Sequence, residues 1–497
     1  MAKNFFSFIF LLISVQSILF SQTYTGTKYP IQKGGPYDRV YYPKNQPNEA
    51  DVKYFPQEWK FAYGSPQHNG AYGVSTGAPG WIKNGVSWKS PGTRSWPLEE
   101  KNAFGTEVYG EALALSTITQ SYGNAVGVAA VKGVIYSESD DMFAYAMNAK
   151  TGKLIWRTSP IGNNLMGNPI VIGDLVYISA GSVGFNFSNL SKYKKTDSAS
   201  RGEGISYNGV YALNRITGEL VWYFLTKGSA MTTPCYDNNR LYISTGDGFL
   251  YCIDATTGTK IWGTDLGGIA NMSSPVIDKG MVYVSMSVKA FLYGIDAASG
   301  KVIWKGTIPD AANTGVGDVS PAVADGIVVL DAVSDEMNEN GKQTMNTTIR
   351  AFDAKTGNVL WTDSMGRGPK PPAFKGGVPM IHNGVAYIGS PVNSIYRAYD
   401  LKSGKVLWTW NIPDAGPAGA GRGAPTYYKD VLYISTGPYL FAVNPKTGVM
   451  INKKEIGGRF GIVSPTIVGG NIYVGNSWDW IIAVPIKEVN PNYKADE

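Results

Sequence analysis

The chain has 497 residues, 43% hydrophobic but only 16% charged, with a formal net charge of +6. That is enough for a large core, and 60 Gly, 31 Tyr and 13 Trp suit short strands and tight turns better than helices. Scattered basic residues leave no nucleic-acid footprint, and two Cys with two His exclude a haem-attachment motif and a multi-histidine metal centre, so no metal is expected.

Acids are the scarcest class, 38 Asp plus Glu in all. Below about pH 4 carboxylates are neutral and no longer balance Lys and Arg, so this paucity points to an acidic, extracytoplasmic setting. The N-terminus agrees. Lys3 precedes an apolar run from Phe5 to Phe20, and Ser21 offers a small residue for cleavage, which reads as a signal peptide over 1–21. No Cys follows for a lipid anchor, and no later segment approaches the ~20 apolar residues of a spanning helix, so stable membrane insertion is not expected. Residues 22–84 form a lead-in segment.

From residue 85 to 486 one pattern recurs. An aromatic-rich strand ends in Asp or Asn, a Thr-Gly or Ser-Gly turn follows, and a short strand ends in Trp. The copies run from Asn148, Asn214, Asp254, Asp296, Asp353 and Asp400, with Trp156, Trp222, Trp262, Trp304, Trp361 and Trp408 at their ends. A seventh copy, from Asn444, has Asn452 where Trp is expected. Upstream of each lies a Pro-led apolar strand, a turn and a Val/Leu-Tyr-Ile/Val strand. Each unit thus holds four antiparallel strands, A to D. A repeat of ~40–50 residues with four strands predicts β-propeller blades, because a lone blade cannot bury both faces.

Strand A occurs near Val128 and then at Pro169, Pro234, Pro275, Pro321, Pro379, Pro425 and Pro465, which gives an all-β, eight-bladed propeller. The last unit lacks a strand D, and the segment around Trp88 supplies it, closing the ring with N-terminal residues. Long B–C insertions are expected at Ser182–Ser206 in blade 2 and Val333–Thr347 in blade 5. Cys235 and Cys252 fall on strands of blade 3 separated by a third, so they read as two buried thiols. Residues 487–497 are a tail.

The repeat also supplies an internal alignment. Three residues before the strand A proline, at the channel mouth, stand Ala125, Met166, Met231, Met272, Asp318, Gly376, Arg422 and Ile462 around the ring. Blade 5 alone offers an acid and blade 7 alone a guanidinium, beside an arc of three methionines. Lys375 and Arg459 lie in the same lead-in stretches. Further acids on this face include Glu138, Asp247 and Asp331.

The repeats, with the lead-in from Trp59 to Gly70, resemble pyrroloquinoline-quinone-type propellers over about residues 55 to 485. Export, length, insertions, low acid content and the solitary mouth Asp further resemble the tetrathionate hydrolases of acidophilic sulfur oxidisers. That resemblance implies hydrolysis of a polythionate to thiosulfate, sulfate and sulfur species, without a cofactor, by a catalytic Asp. The role passes to Asp318 as acid or base, with Asp331 as the fallback. Arg422, Lys375 and Arg459 would hold the sulfonates of the small anionic substrate, and Met166, Met231 and Met272 would line the site. Two alternatives stand beside it: a quinone-dependent periplasmic dehydrogenase, whose vicinal cysteine pair is missing here, and a non-catalytic scaffold of the outer-membrane assembly type. The insertions could serve a homodimer contact instead of a pocket wall.

Overall fold

The computed structural model describes most of residues 127–495, excepting 139–143, 153, 159–166, 181–207, 271, 287–288, 290, 310–318, 338–342, 370–375, 415–420, 461–463 and 476–480, together with three two-residue strands before them. The expected signal peptide, most of the expected lead-in and the expected blade 2 insertion lie outside the described residues.

Eight sheets follow one another along the chain, and those of blades 2 to 6 each hold four antiparallel strands in sequence order. Strand A starts directly after its proline, as in Cys235–Asp237, Val276–Asp278 and Ala322–Ala324. Proline belongs there because it fixes φ and its missing N–H is not needed before the first ladder bond. The last and first blades meet through Thr466 Oγ1 donating to the Val128 carbonyl at 3.0 Å and Tyr473 Oη to the Ala149 carbonyl at 3.0 Å.

A repeated lock joins the blades. In blade 4, Trp304 Nε1 and Tyr283 Oη both donate to the Ala354 carbonyl in the C–D turn of blade 5, at 2.9 and 3.2 Å. Beneath the indole lies Gly357, φ 73°, where a Cβ would come within 2.5 Å of the ring. The Thr-Gly turn is therefore doubly constrained, by a left-handed backbone and by the neighbouring Trp. The same lock recurs from Trp156 to Arg215, Trp222 to Ala255, Trp262 to Ala297, Trp361 to Leu401 and Trp408 to Pro445.

Blade 7, which has no Trp, is locked differently. Asn452 Nδ2 approaches the Glu488 carbonyl at 3.5 Å, and Ile486, Val489 and Tyr493 of the tail pack with Tyr433, Leu440 and Ile472 of blades 7 and 8. Asn490 Nδ2 donates to Tyr433 Oη at 3.1 Å, where other blades offer a C–D turn.

Among the described residues, the N-terminal segment touches the ring at three places. Trp88–Lys89 pairs antiparallel with Ile481–Pro485 as the outer strand of blade 8. Val40–Tyr41 adds a fifth strand to the outer edge of blade 1, and Ala71–Tyr72 pairs parallel with strand A of blade 7 on its channel side. The blade 5 insertion is largely strand rather than loop: Ile327–Met337, Gln343–Asp353 and Val359–Pro369 are lengthened together to eleven residues each. Cys235 and Cys252 are buried and unbonded, each paired to Tyr242 from opposite sides.

Candidate functional site at the channel mouth

Hydrogen bonds between successive lead-ins draw the channel mouth together. Asn168 N–H donates to Thr233 Oγ1, Thr233 N–H to Ser274 Oγ and Ser274 N–H to Ser320 Oγ, at 2.7, 3.0 and 2.9 Å. Blades 6 and 7 have Val378 and Ala424 at this position, so the hydroxyl belt ends and Val378 N–H donates instead to the Arg422 carbonyl at 2.9 Å. Equivalent positions of blades 2 to 5, and again of blades 6 and 7, are thus held as neighbours at one end of the molecule.

A second belt lies behind the first, at the residue two beyond the strand B tyrosine, whose place Val329 takes in blade 5. Ser179, Ser244 and Ser285 donate to the Thr232, Ser273 and Val319 carbonyls, each in the lead-in of the next blade. Around the ring this position reads Glu138, Ser179, Ser244, Ser285, Asp331, Gly389, Ser435 and Gly475. Six blades carry Ser or Gly, and blades 1 and 5 carry a carboxyl. The two acids stand four blades apart, and both are buried.

Asp331 takes the place of the serine in blade 5. Its side chain accepts where serine would donate: Oδ2 takes the Gly377 N–H at 2.5 Å. A Cβ on Gly376 would sit 2.5 Å from Oδ2 and 2.7 Å from Val319 Cγ2, so this carboxyl requires glycine at the mouth position of blade 6. Asp331 is fully buried, and Oδ1 has no hydrogen-bond partner among the described residues. Burial pushes its pKa well above the usual carboxylate range, against the opposing pull of the Gly377 and Ala332 N–H groups and the Arg350 guanidinium. Burial raises the Glu138 carboxyl likewise. Asp247, by contrast, is tied to Thr245 Oγ1, Tyr251 Oη and backbone N–H groups, which is the role of a structural loop acid.

The other expected site residues are distributed unevenly. Asp318, Met166 and Lys375 lie outside the described residues, and of Arg459 only the backbone, within Met450–Phe460, is described. Val319, next to Asp318, is buried against the Gly376 position. Met231 and Met272 are buried in one cluster with Val378, Met380 and Ala424, so blades 3, 4, 6 and 7 meet across the channel. Arg422 is buried, 7% exposed, and its carbonyl is held by Val378. The mouth alignment did not single out Asp331, because it belongs to the second belt. The strand B register carries the signal, with Val329 at the place of the tyrosine in the other blades.

The family model described as outer membrane protein assembly factor BamB matches residues 206–330 and 250–490. The tetrathionate hydrolase of Acidithiobacillus ferrooxidans is 57% identical over 462 residues, covering 93% of this chain and 92% of that one. The tetrathionate hydrolase of Acidianus ambivalens is 34% identical over 488 residues, covering 91% and 88%. A europium-containing methanol dehydrogenase shares the fold, with TM-score 0.51 and 11% identity over 86% of this chain and 91% of its own. Repeat architecture and similarity along nearly the whole chain converge: the chain belongs to the tetrathionate hydrolase family, built on a propeller of the PQQ-repeat type.

Proposed function

We propose that this chain is a hydrolase that cleaves tetrathionate outside the cytoplasm in acid, and that Asp331 serves as its proton donor. The similarity along nearly the whole chain to two tetrathionate hydrolases supports the substrate. The observation that carries the proton donor is a fully buried carboxyl, pushed toward its neutral form, whose Oδ1 has no partner among the described residues.

The chemistry balances on this assignment. Tetrathionate is a dianion with two sulfonate ends and a sulfur–sulfur centre. Water attacks one divalent sulfur and the central S–S bond breaks. The electron pair leaves with thiosulfate, and neutral Asp331 gives its proton to that departing sulfur. The proton lost by the attacking water restores the acid. The other half leaves as a hydroxysulfanyl sulfonate, which has the composition of one sulfur atom plus hydrogensulfate, so no oxidant or reductant is needed.

Two sulfonates need cationic partners. The Arg422 guanidinium offers paired hydrogen bonds suited to a sulfonate, and Lys375 and Arg459 add positive potential in the same lead-ins. Met166, Met231 and Met272 offer a polarisable surface to the divalent sulfurs. Asp318, adjacent to Val319, remains the competing acid. The vicinal cysteine pair of quinone enzymes has no counterpart, since Cys235 and Cys252 sit on separate strands.

The test is thiosulfate release from tetrathionate by the purified protein between about pH 2 and pH 7. Activity without added quinone, confined to the acid side, is expected. Asp331→Asn and Asp318→Asn are assayed alongside: loss in the first with retention in the second supports Asp331, and the reverse transfers the role to Asp318.

A further inference from the structure

The serines of the second belt in blades 2 to 4 donate to the carbonyl of the residue just after the mouth position of the next blade, namely Thr232, Ser273 and Val319. Blade 6 has no such serine. Gly389 stands in its place, where a Cβ would lie 2.1 Å from the Gly421 carbonyl oxygen and 2.8 Å from Tyr396 Cζ. The hydroxyl comes instead from the facing strand. The belt residue pairs across the sheet with Val210, Leu250, Leu292 and Ile349 in blades 2 to 5, but with Tyr396 in blade 6. Tyr396 Oη donates to the carbonyl of Gly423, the residue after Arg422, at 2.5 Å. Serine and its aliphatic partner have thus been exchanged for glycine and tyrosine, and a longer side chain makes the bond to the next lead-in.

Tyr396 is one part of a clamp on three consecutive residues. Gly421, φ 93°, donates its N–H to Thr436 Oγ1 at 2.7 Å, from the strand Val431–Val443. The Arg422 carbonyl accepts from Val378 N–H at 2.9 Å, and the Gly423 carbonyl from Tyr396. Tyr396, Thr436 and Val378 are all buried. The same seam reaches the acid. A Cβ on Gly377, whose N–H serves Asp331, would sit 2.0 Å from the Gly389 carbonyl oxygen and 3.0 Å from that of Gly421.

Packing alone does not call for the hydroxyl. The Tyr396 ring stacks on Trp410 with centroids 6.0 Å apart, inside the cluster that holds Met380 and Phe441, and a phenylalanine ring would do the same. A buried hydroxyl is costly unless it is bonded, so its presence marks the bond as the selected feature. Burial also pushes its pKa up, so it stays a donor from acid to neutral pH.

We propose that Tyr396 is a positioning residue for Arg422: its hydroxyl fixes the Arg422–Gly423 peptide, and through it the guanidinium that receives a sulfonate of the substrate. The inference rests on the sulfonate role proposed for Arg422 and adds the group that aims it.

The test is steady-state thiosulfate release from tetrathionate by Tyr396→Phe, Arg422→Gln and the double variant. Tyr396→Phe should raise KM about 10-fold, with a much smaller change in kcat, as one buried hydrogen bond is lost. Arg422→Gln should raise KM further. The double variant should match Arg422→Gln alone, because the hydroxyl acts through the guanidinium, whereas a merely structural tyrosine would add its effect. Thr436→Val removes the acceptor of Gly421 without changing side-chain shape, should raise KM similarly, and replaces Tyr396→Phe in the comparison if that variant does not fold. Calorimetric binding of tetrathionate gives the same comparison where turnover is too slow. An unchanged KM in Tyr396→Phe beside a raised one in Arg422→Gln, or an additive double variant, overturns the positioning role and leaves the anchor standing. An unchanged KM in Arg422→Gln removes the anchor, and this inference with it.

Discussion

A carboxylic acid that must give up a proton in an acidic medium needs little tuning, but one that must hold it needs burial. Asp331 has that burial, and Gly376 is the residue that permits it. Asp331→Asn preserves the shape and the contact region with Gly377 while removing the transferable proton, so thiosulfate release should fall by orders of magnitude with an unchanged circular dichroism spectrum. Its stability profile should also change. The folded pKa is raised above the unfolded value. The protonated acid therefore stabilises the fold fully below the ordinary carboxylate range, and this contribution is lost as pH rises through the raised value. Denaturant titrations should show wild type weakening from acid to neutral pH, with a shallower slope in Asp331→Asn. Gly376→Ala introduces a Cβ 2.5 Å from Oδ2. It should cost about 1–3 kcal/mol by overpacking and reduce activity by displacing the acid. A fully active, equally stable Gly376→Ala would show that the carboxyl does not depend on this approach.

At the scale of the strand and turn, one lock is used six times, and its parts tolerate acid. The carboxylates Asp296, Asp353 and Asp400, which organise the C–D turns of blades 4, 5 and 6, have lowered pKa values. A hydroxyl bond from Ser299 holds Asp296 down, the Thr356 N–H does so for Asp353, and the Ser403 hydroxyl for Asp400. For such groups the stabilising contribution is present above the unfolded carboxylate pKa and is lost only as pH falls through the lowered value. These three turns consequently stay organised at pH values where ordinary surface carboxylates are already neutral. The indole of the lock is the costly part to remove. Trp304→Ala deletes a buried ring and its bond to Ala354, and should destabilise by roughly 3–5 kcal/mol in denaturant unfolding. A loss under about 1 kcal/mol would mean that the blades are joined chiefly by their strand A contacts.

At the scale of the ring, both chain ends close the seam. The outer strand of blade 8 comes from Trp88–Lys89, and the space left by the missing tryptophan of blade 7 is filled by Ile486, Val489 and Tyr493. Deleting residues 486–497 exposes this gap. Three buried apolar side chains at about 1.5–3 kcal/mol each make the loss large against the stability of a typical domain. The truncated protein should melt well below wild type by calorimetry, whereas deleting only 494–497 should change little.

The eight blades were legible in the sequence because the repeat writes much the same local chemistry again and again: proline before strand A in seven blades, tyrosine in strand B in all but blade 5, and a Thr-Gly or Ser-Gly turn with tryptophan after it in six. Turn geometry and strand alternation are local, so residue order determines them. The arrangement of the acids was not local. Internal alignment at the mouth singled out Asp318, and only packing revealed that Asp331 replaces a serine that reaches across to the next blade and is buried there by Gly376. The role of the tail was equally hidden, since nothing in Ile486–Tyr493 announces that it stands in for an absent indole. Sequence by itself determined the repeat and hence the toroid. Tertiary structure decided that Asp331 loses its water, because desolvation depends on neighbours brought from other blades.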